Sequence, residues 1–149
     1  MKSPLYAALL VCTGLFSLSV QAADPISARQ AEFKKILRAF EPMGTMVRDR
    51  DPYKADAFLQ YAQTLKTLSH TPWPYFVAGT NTGKTRAKAE IWSRAAEFKT
   101  EQNTFIQRVD DLAEAAKSND IQKIRPVYNT LAQSCKSCHD SFRNKNRPD

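Results

Sequence analysis

The sequence predicts an all-α protein, an antiparallel four-helix bundle of up-down-up-down topology. Three observations carry that expectation. Apolar residues recur at steps of three and four through most of the chain after residue 24, a spacing that lines one face of a helix. No segment alternates polar and apolar residues as a strand does. Prolines, glycines and short polar runs gather at a few breaks, so most connections are short and consecutive helices lie antiparallel.

The first 22 residues, MKSPLYAALLVCTGLFSLSVQA, precede the bundle. They hold one cation, Lys2, an apolar run from Leu5 to about Val20, no acid, and a small-x-small ending at Val20-Gln21-Ala22. This is the layout of a cleaved secretory signal peptide, and the run is short for a membrane span of about 20 apolar residues. Cys12 follows Val11 rather than a small residue, which disfavours a lipid anchor, and it departs with the leader. Residues 23–149 remain as one exported domain with no membrane segment.

Helix one is expected to start at Asp24-Pro25, an N-cap followed by proline at the first helical position, with Ser27 and Gln30 as a second possible capping box. Phe33, Leu37, Phe40, Gly44 and Val47 form its stripe to about Arg48, and Pro42 threatens a kink. Asp51-Pro52 marks a second start, with Phe58, Tyr61, Leu65 and Leu68 facing inward as far as His70. TPWPYFVAGTNTGKT is the one long loop, turned by Gly79 and Gly83. Helix three is read as continuous through Ile91, Ala95, Phe98, Gln102, Phe105, Val109, Leu112 and Ala116. KSND ends it, and Asp120 caps helix four, whose stripe is Ile124, Tyr128, Leu131, Cys135, Cys138 and Phe142, with Pro126 awkward inside it.

Without Lys2 the exported chain has 21 basic residues against 15 acids, an excess of six. The basic residues are spread around helical faces without an aromatic-basic module, which together with export argues against nucleic acid as a partner.

The chemistry concentrates in QSCKSCHDSF, Gln133 to Phe142. In a helix, residues three and four apart share a face, so Cys135, Cys138 and His139 all point towards the bundle interior. A CxxC oxidoreductase motif belongs beside a strand in a βαβ unit, and none is predicted. A structural zinc site needs four ligands, and the other histidine, His70, stands alone. A disulfide leaves His139 unexplained. Covalent haem attachment uses all three residues, two thiols for the vinyl groups and the imidazole for iron.

The chain also resembles the bacterial cytochromes c′, a family of four-helix bundles. The resemblance runs through RQAEF, LKTLSHTPWPYF, GTNTG, AEIW and SCKSCHDSFR in that order, and the chain is slightly longer than usual between Gly83 and Trp92. It implies one haem c per chain, bound through Cys135 and Cys138, with His139 as the only protein ligand to iron. It places Arg143 beside the proximal face, Arg29 and Gln30 near the haem edge with Arg29 pairing a propionate, and Trp73 packed against that edge. Each also has a purely structural reading, as solvated helix-surface charges for Arg29 and Arg143 and as loop packing for Trp73.

In low-spin relatives of this bundle a methionine near the start of helix one supplies a sixth ligand. Phe33 stands there instead, without a donor atom, and Met43 and Met46 lie about 15 to 20 Å further along the helix. The resemblance therefore implies a periplasmic, five-coordinate, high-spin haem protein, not an enzyme, that binds NO and CO and protects against nitrosative stress. Phe33 gates the open face in this reading, or serves only as core packing. Electron transfer with an acidic redox partner is the alternative. No general acid or base is evident at the distal face for peroxide cleavage. The resemblance also implies a homodimer through helices one and two, with Met43, Met46 and Tyr53 as outward contacts.

Overall fold

The computed structural model describes residues 24–146; residues 1–23 and 147–149, and with them the predicted leader, lie outside that range. Helix α1 (Pro25–Val47) begins as expected. The Asp24 carboxylate accepts from the backbone N–H groups of Ile26 and Ser27 at 3.4 and 3.0 Å, two donors that a helix start would otherwise leave unpaired. Next come α2 (Ala55–Leu68), a 3-10 turn (Trp73–Tyr75), the single-turn α3 (Glu90–Ser93), α4 (Ala95–Ala116) and α5 (Ile121–Phe142). The four long helices form the bundle.

Two predicted boundaries move. Asp51-Pro52 does not start α2, because the amides of Arg50 and Asp51 still donate to the Thr45 carbonyl at 2.9 and 3.3 Å, and Asp49 turns the chain with φ of 55°. The next helix opens only at Ala55. The predicted third helix is broken at Arg94, whose φ of −118° and ψ of 46° leave the helical region. On either side the chain is pinned. Trp92 Nε1 donates to the Phe76 carbonyl at 3.2 Å, while Arg94 pairs with Glu97 and lies over the Phe142 ring.

Pro42 and Pro126 each lie inside a helix that runs on past them. Each removes a backbone hydrogen bond, but fully buried neighbours, Met43 beside the first and Ile124 beside the second, hold the helices in place. Asp120 caps α5 as predicted, accepting from Gln122 N at 2.9 Å, and Gly79 and Gly83 turn the long loop with φ near 80°.

The core is built from Ile36, Met43, Phe58, Leu65, Leu112 and Leu131 with their smaller neighbours. Helix α1 thus has two apolar faces. Ile36, Ala39, Met43 and Met46 enter the packed core, whereas Phe33, Leu37 and Phe40 turn towards α5 and line a cleft. This corrects the expected outward contacts. Met43 is wholly buried and Met46 is 6% exposed, and Tyr53 is half-buried against Phe58. None of the three is a free surface side chain.

Helices α1 and α5 touch over less of their length than the other neighbouring pairs. They meet near the far end of α1, where the rings of Phe40 and Tyr128 stack with centroids 4.5 Å apart and 8° between their planes. Arg125 also donates to the Val47 carbonyl there. Gly44 permits the approach, since a Cβ at this position would overlap the Tyr128 hydroxyl. Gly44→Ala gains about 1 kcal/mol of helix propensity but costs about 1–3 kcal/mol in overpacking. A lower melting temperature is expected; an unchanged or higher one would show that Tyr128 yields freely.

Candidate functional site

Beyond that junction the two helices part. The cleft between them has a volume of about 410 Å³. On the α5 side stand Cys135, Cys138, His139 and Arg143; on the α1 side stand Arg29, Gln30, Phe33 and Leu37; Trp73 closes the inner end. Every residue predicted for the site lines this one cleft. A second hollow, of about 460 Å³, lies between α4 and α5, is lined by polar residues such as Glu101, Arg108 and Gln133, and contains none of them.

The inner wall is an aromatic cluster. Trp73 meets Phe33, Phe98 and Phe105 edge-on with centroids near 6 Å, and stacks with Phe76. Its indole N–H donates to the Ser69 carbonyl at 2.6 Å, which fixes the ring. Edge-to-face packing of this kind adds specific geometry to apolar burial. The wall is rigid and water-repelling. Leu37, 48% exposed, presents its side chain to the cleft opening.

The motif residues lie on one face of α5 as the helical spacing requires. Cys135 and Cys138 are unpaired and half-buried. Burial pushes the Cys135 thiol up to about 11 and the Cys138 thiol up to about 12. Both are therefore neutral at physiological pH. His139 keeps an exposed surface, yet partial burial, and secondarily the Arg143 guanidinium, hold its pKa below the usual imidazole value. A lowered pKa keeps the imidazole neutral at pH 7, with a lone pair free to bind a metal.

Arg29 does something its sequence position did not reveal. It is 3% exposed, which corrects the reading of a solvated helix-surface charge. Its Nη1 donates to the Tyr75 carbonyl at 3.3 Å and Thr80 Oγ1 at 2.6 Å, and its Nη2 to the Thr80 carbonyl at 2.5 Å and Thr85 Oγ1 at 2.8 Å. The guanidinium also lies over the Phe76 ring at 5.1 Å. Gln30 adds a bond from Nε2 to the Lys84 carbonyl at 2.9 Å. Together these side chains fasten the long loop to α1. The terminal nitrogens of Arg29 are thereby committed to loop acceptors.

Sequence reasoning missed Thr85, Phe76 and Arg86 in the cleft wall. Thr85, 2% exposed, sits in a polar loop with no periodicity, so no local signal marks it. Phe98 and Phe142 were placed on core stripes, and their periodicity could not show that the stripe opens on a cleft.

The cleft fits a haem by its chemistry. It offers apolar and aromatic walls, two neutral thiols at i and i+3, an adjacent neutral imidazole, and four cations, Arg29, Lys34, Arg86 and Arg143, with no carboxylate among the lining residues. Among the described residues no cluster of three or more His, Cys, Asp or Glu could hold a bare metal ion.

A four-helix bundle whose last helix turns a CxxCH motif into an apolar cleft defines a haem-binding bundle protein of the c type. A family model described as Cytochrome C' matches residues 24–143. The solved structure of cytochrome c prime from Shewanella frigidimarina is 36% identical, covers 83% of this chain and 96% of its own, and gives a TM-score of 0.80. The nitric oxide complex of a mutant cytochrome c prime from Alcaligenes xylosoxidans is also 36% identical, with a TM-score of 0.77 over 85% and 100% of the two chains. A carbon monoxide-bound variant from Alcaligenes xylosoxidans is 37% identical, with a TM-score of 0.76 over 82% and 95%. The chain belongs to the cytochrome c′ family, whose members are haem proteins rather than enzymes.

Proposed function

We propose that this chain is a periplasmic haem c protein that binds nitric oxide and carbon monoxide at an open coordination position and protects against nitrosative stress. One observation carries the reading. Among the residues lining the cleft there is no methionine and no histidine besides His139. Met43 and Met46 are buried in the packed core, away from it. His70 is exposed at the end of α2, outside the cleft.

Cys135 and Cys138 would hold the group. Each thiol would form a thioether by addition of its S–H across a vinyl C=C, the hydrogen going to the other vinyl carbon, so that nothing is released. His139 supplies the one protein ligand. The haem, when bound, supplies an iron that takes a diatomic ligand. Phe33 lines the cleft from α1 and would have no group to donate to iron or to hydrogen-bond a polar ligand. Water and other polar ligands find no hydrogen-bond partner on that ring; small neutral diatomics lose least. Arg29 holds Phe76 and Thr85 in the cleft wall, and Arg143 lies beside His139.

The solved NO and CO complexes of similar proteins support this reading. Export by the leader at residues 1–22 would deliver the chain to the periplasm, and among the described residues no helix is long and apolar enough to cross a membrane. A homodimer through α1 and α2 remains part of the proposal, on contacts other than the buried methionines.

Absorption spectra of the purified holoprotein test it directly. Ferric and ferrous high-spin spectra, with CO and NO each shifting the ferrous Soret band, are expected. A low-spin spectrum indifferent to CO would sink the gas-binding reading and favour electron transfer with a redox partner.

A further inference from the structure

The last turn of α5 carries His139, three residues before the helix ends at Phe142. A helix terminus leaves its final carbonyls without intrahelical partners. Here they are all occupied, and mostly by one residue. The Arg143 amide closes on the His139 carbonyl at 3.0 Å. Lys88 does the rest, its Nζ donating to the Asp140 and Ser141 carbonyls at 3.1 Å each and its backbone N–H to the Phe142 carbonyl at 3.0 Å. Asn144 N returns the link to the Arg86 carbonyl at 2.8 Å, and Ala87 and Arg143 pair as an isolated antiparallel bridge.

The other side of this clasp is equally fixed. Thr85 Oγ1 accepts from Ala87 N at 3.1 Å and from Arg29 Nη2 at 2.8 Å. Hydrogen bonds thus run from α1 through Arg29 and Thr85 to Ala87, and the next residue in the chain, Lys88, carries the link to the turn that bears His139. A cation at a helix C-terminus is also favoured by the helix dipole. Lys88 itself is outside the cleft lining.

We propose that Lys88 is a positioning residue for His139: by capping the end of α5 with its ammonium and its amide, it fixes the turn from which His139 reaches iron. A held turn would resist withdrawal of the imidazole. This rests on the reading of His139 as axial ligand.

The holoprotein is compared with Lys88→Met, which keeps the length of the side chain and removes its charge and donors, with Lys88→Gln, which keeps one donor group, and with Lys88→Arg. Two readouts need no gas. Hydrogen exchange at the Arg143 and Asn144 amides should accelerate by at least about tenfold in Lys88→Met, as expected for a local opening that has lost two charge-assisted bonds. The His–iron stretching band of the ferrous protein should broaden and move to lower frequency. Lys88→Gln should fall between, and Lys88→Arg should restore both.

Unchanged exchange in Lys88→Met would show that the ammonium does not hold the turn. Faster exchange with an unaltered His–iron band would show that the turn does not position His139. Either result overturns the proposal. A wild-type protein indifferent to CO and NO would refute gas binding alone and leave the exchange readout, which needs no open coordination position, in force.

Discussion

Replacing Phe33 by alanine should speed CO association with the ferrous protein by about ten- to a hundredfold, since each 1.4 kcal/mol removed from a barrier to access is a factor of ten. The ring stands on the α1 wall of the cleft, held edge-on by Trp73 at 5.8 Å and Phe76 at 6.3 Å. A side chain fixed from two sides cannot swing aside at little cost, so a ligand passing it would have to displace part of the cluster. Truncation opens that path without adding a donor. Identical association rates in the two proteins would remove the gating role and leave Phe33 as wall packing.

Phe33→Met makes the complementary test. A thioether at this place would stand in the same cleft as His139 and could serve as a sixth ligand. The spectrum should turn low-spin and CO association should slow. Retention of the high-spin spectrum would mean that position 33 does not overlie the coordination position.

The second large effect concerns attachment. A Cys135→Ser, Cys138→Ser double variant should lose haem to acid–acetone extraction and fold poorly when the group is not retained. At about 24 cal/mol per Å³, a cleft of about 410 Å³ left unfilled amounts to at most about 10 kcal/mol. That is comparable with the whole stability of an ordinary domain, about 5–15 kcal/mol. The helical circular dichroism of the haem-free double variant should therefore be reduced and its melting broad. A sharp transition close to that of the holoprotein would show that α2, α4 and the lower parts of α1 and α5 suffice to hold the bundle.

The helices were legible because burial imposes its period on the sequence. The stripes Phe58-Leu65, Phe105-Val109-Leu112-Ala116 and Ile124-Tyr128-Leu131 became core residues. What periodicity could not separate was core from cleft. Phe33, Leu37 and Phe40 obey the same spacing as the core residues of α1, and only the parting of α1 from α5 turns them into a cleft wall. Met43 and Met46 were misplaced for the same reason. On a helix buried along two faces the apolar arc is wide, and one stripe understates it.

The site divides along similar lines. Cys135, Cys138 and His139 are local, and a helical rise alone puts them together. Arg29 depends on partners 46 to 56 residues away. Its role as the fastener of the Tyr75–Thr85 loop could not be inferred from neighbours in the chain.

The sequence by itself determined that four amphipathic helices form and that one of them carries two thiols and an imidazole on its inner face, because local hydrophobic period and motif spacing are short-range properties. Only the tertiary structure decided where α1 and α5 separate, which side chains wall the space between them, and that Arg29 and Lys88 tie the loop to both helices. Those are contacts between residues far apart in the chain, set by packing and by the need of each buried donor and helix-end carbonyl for a partner.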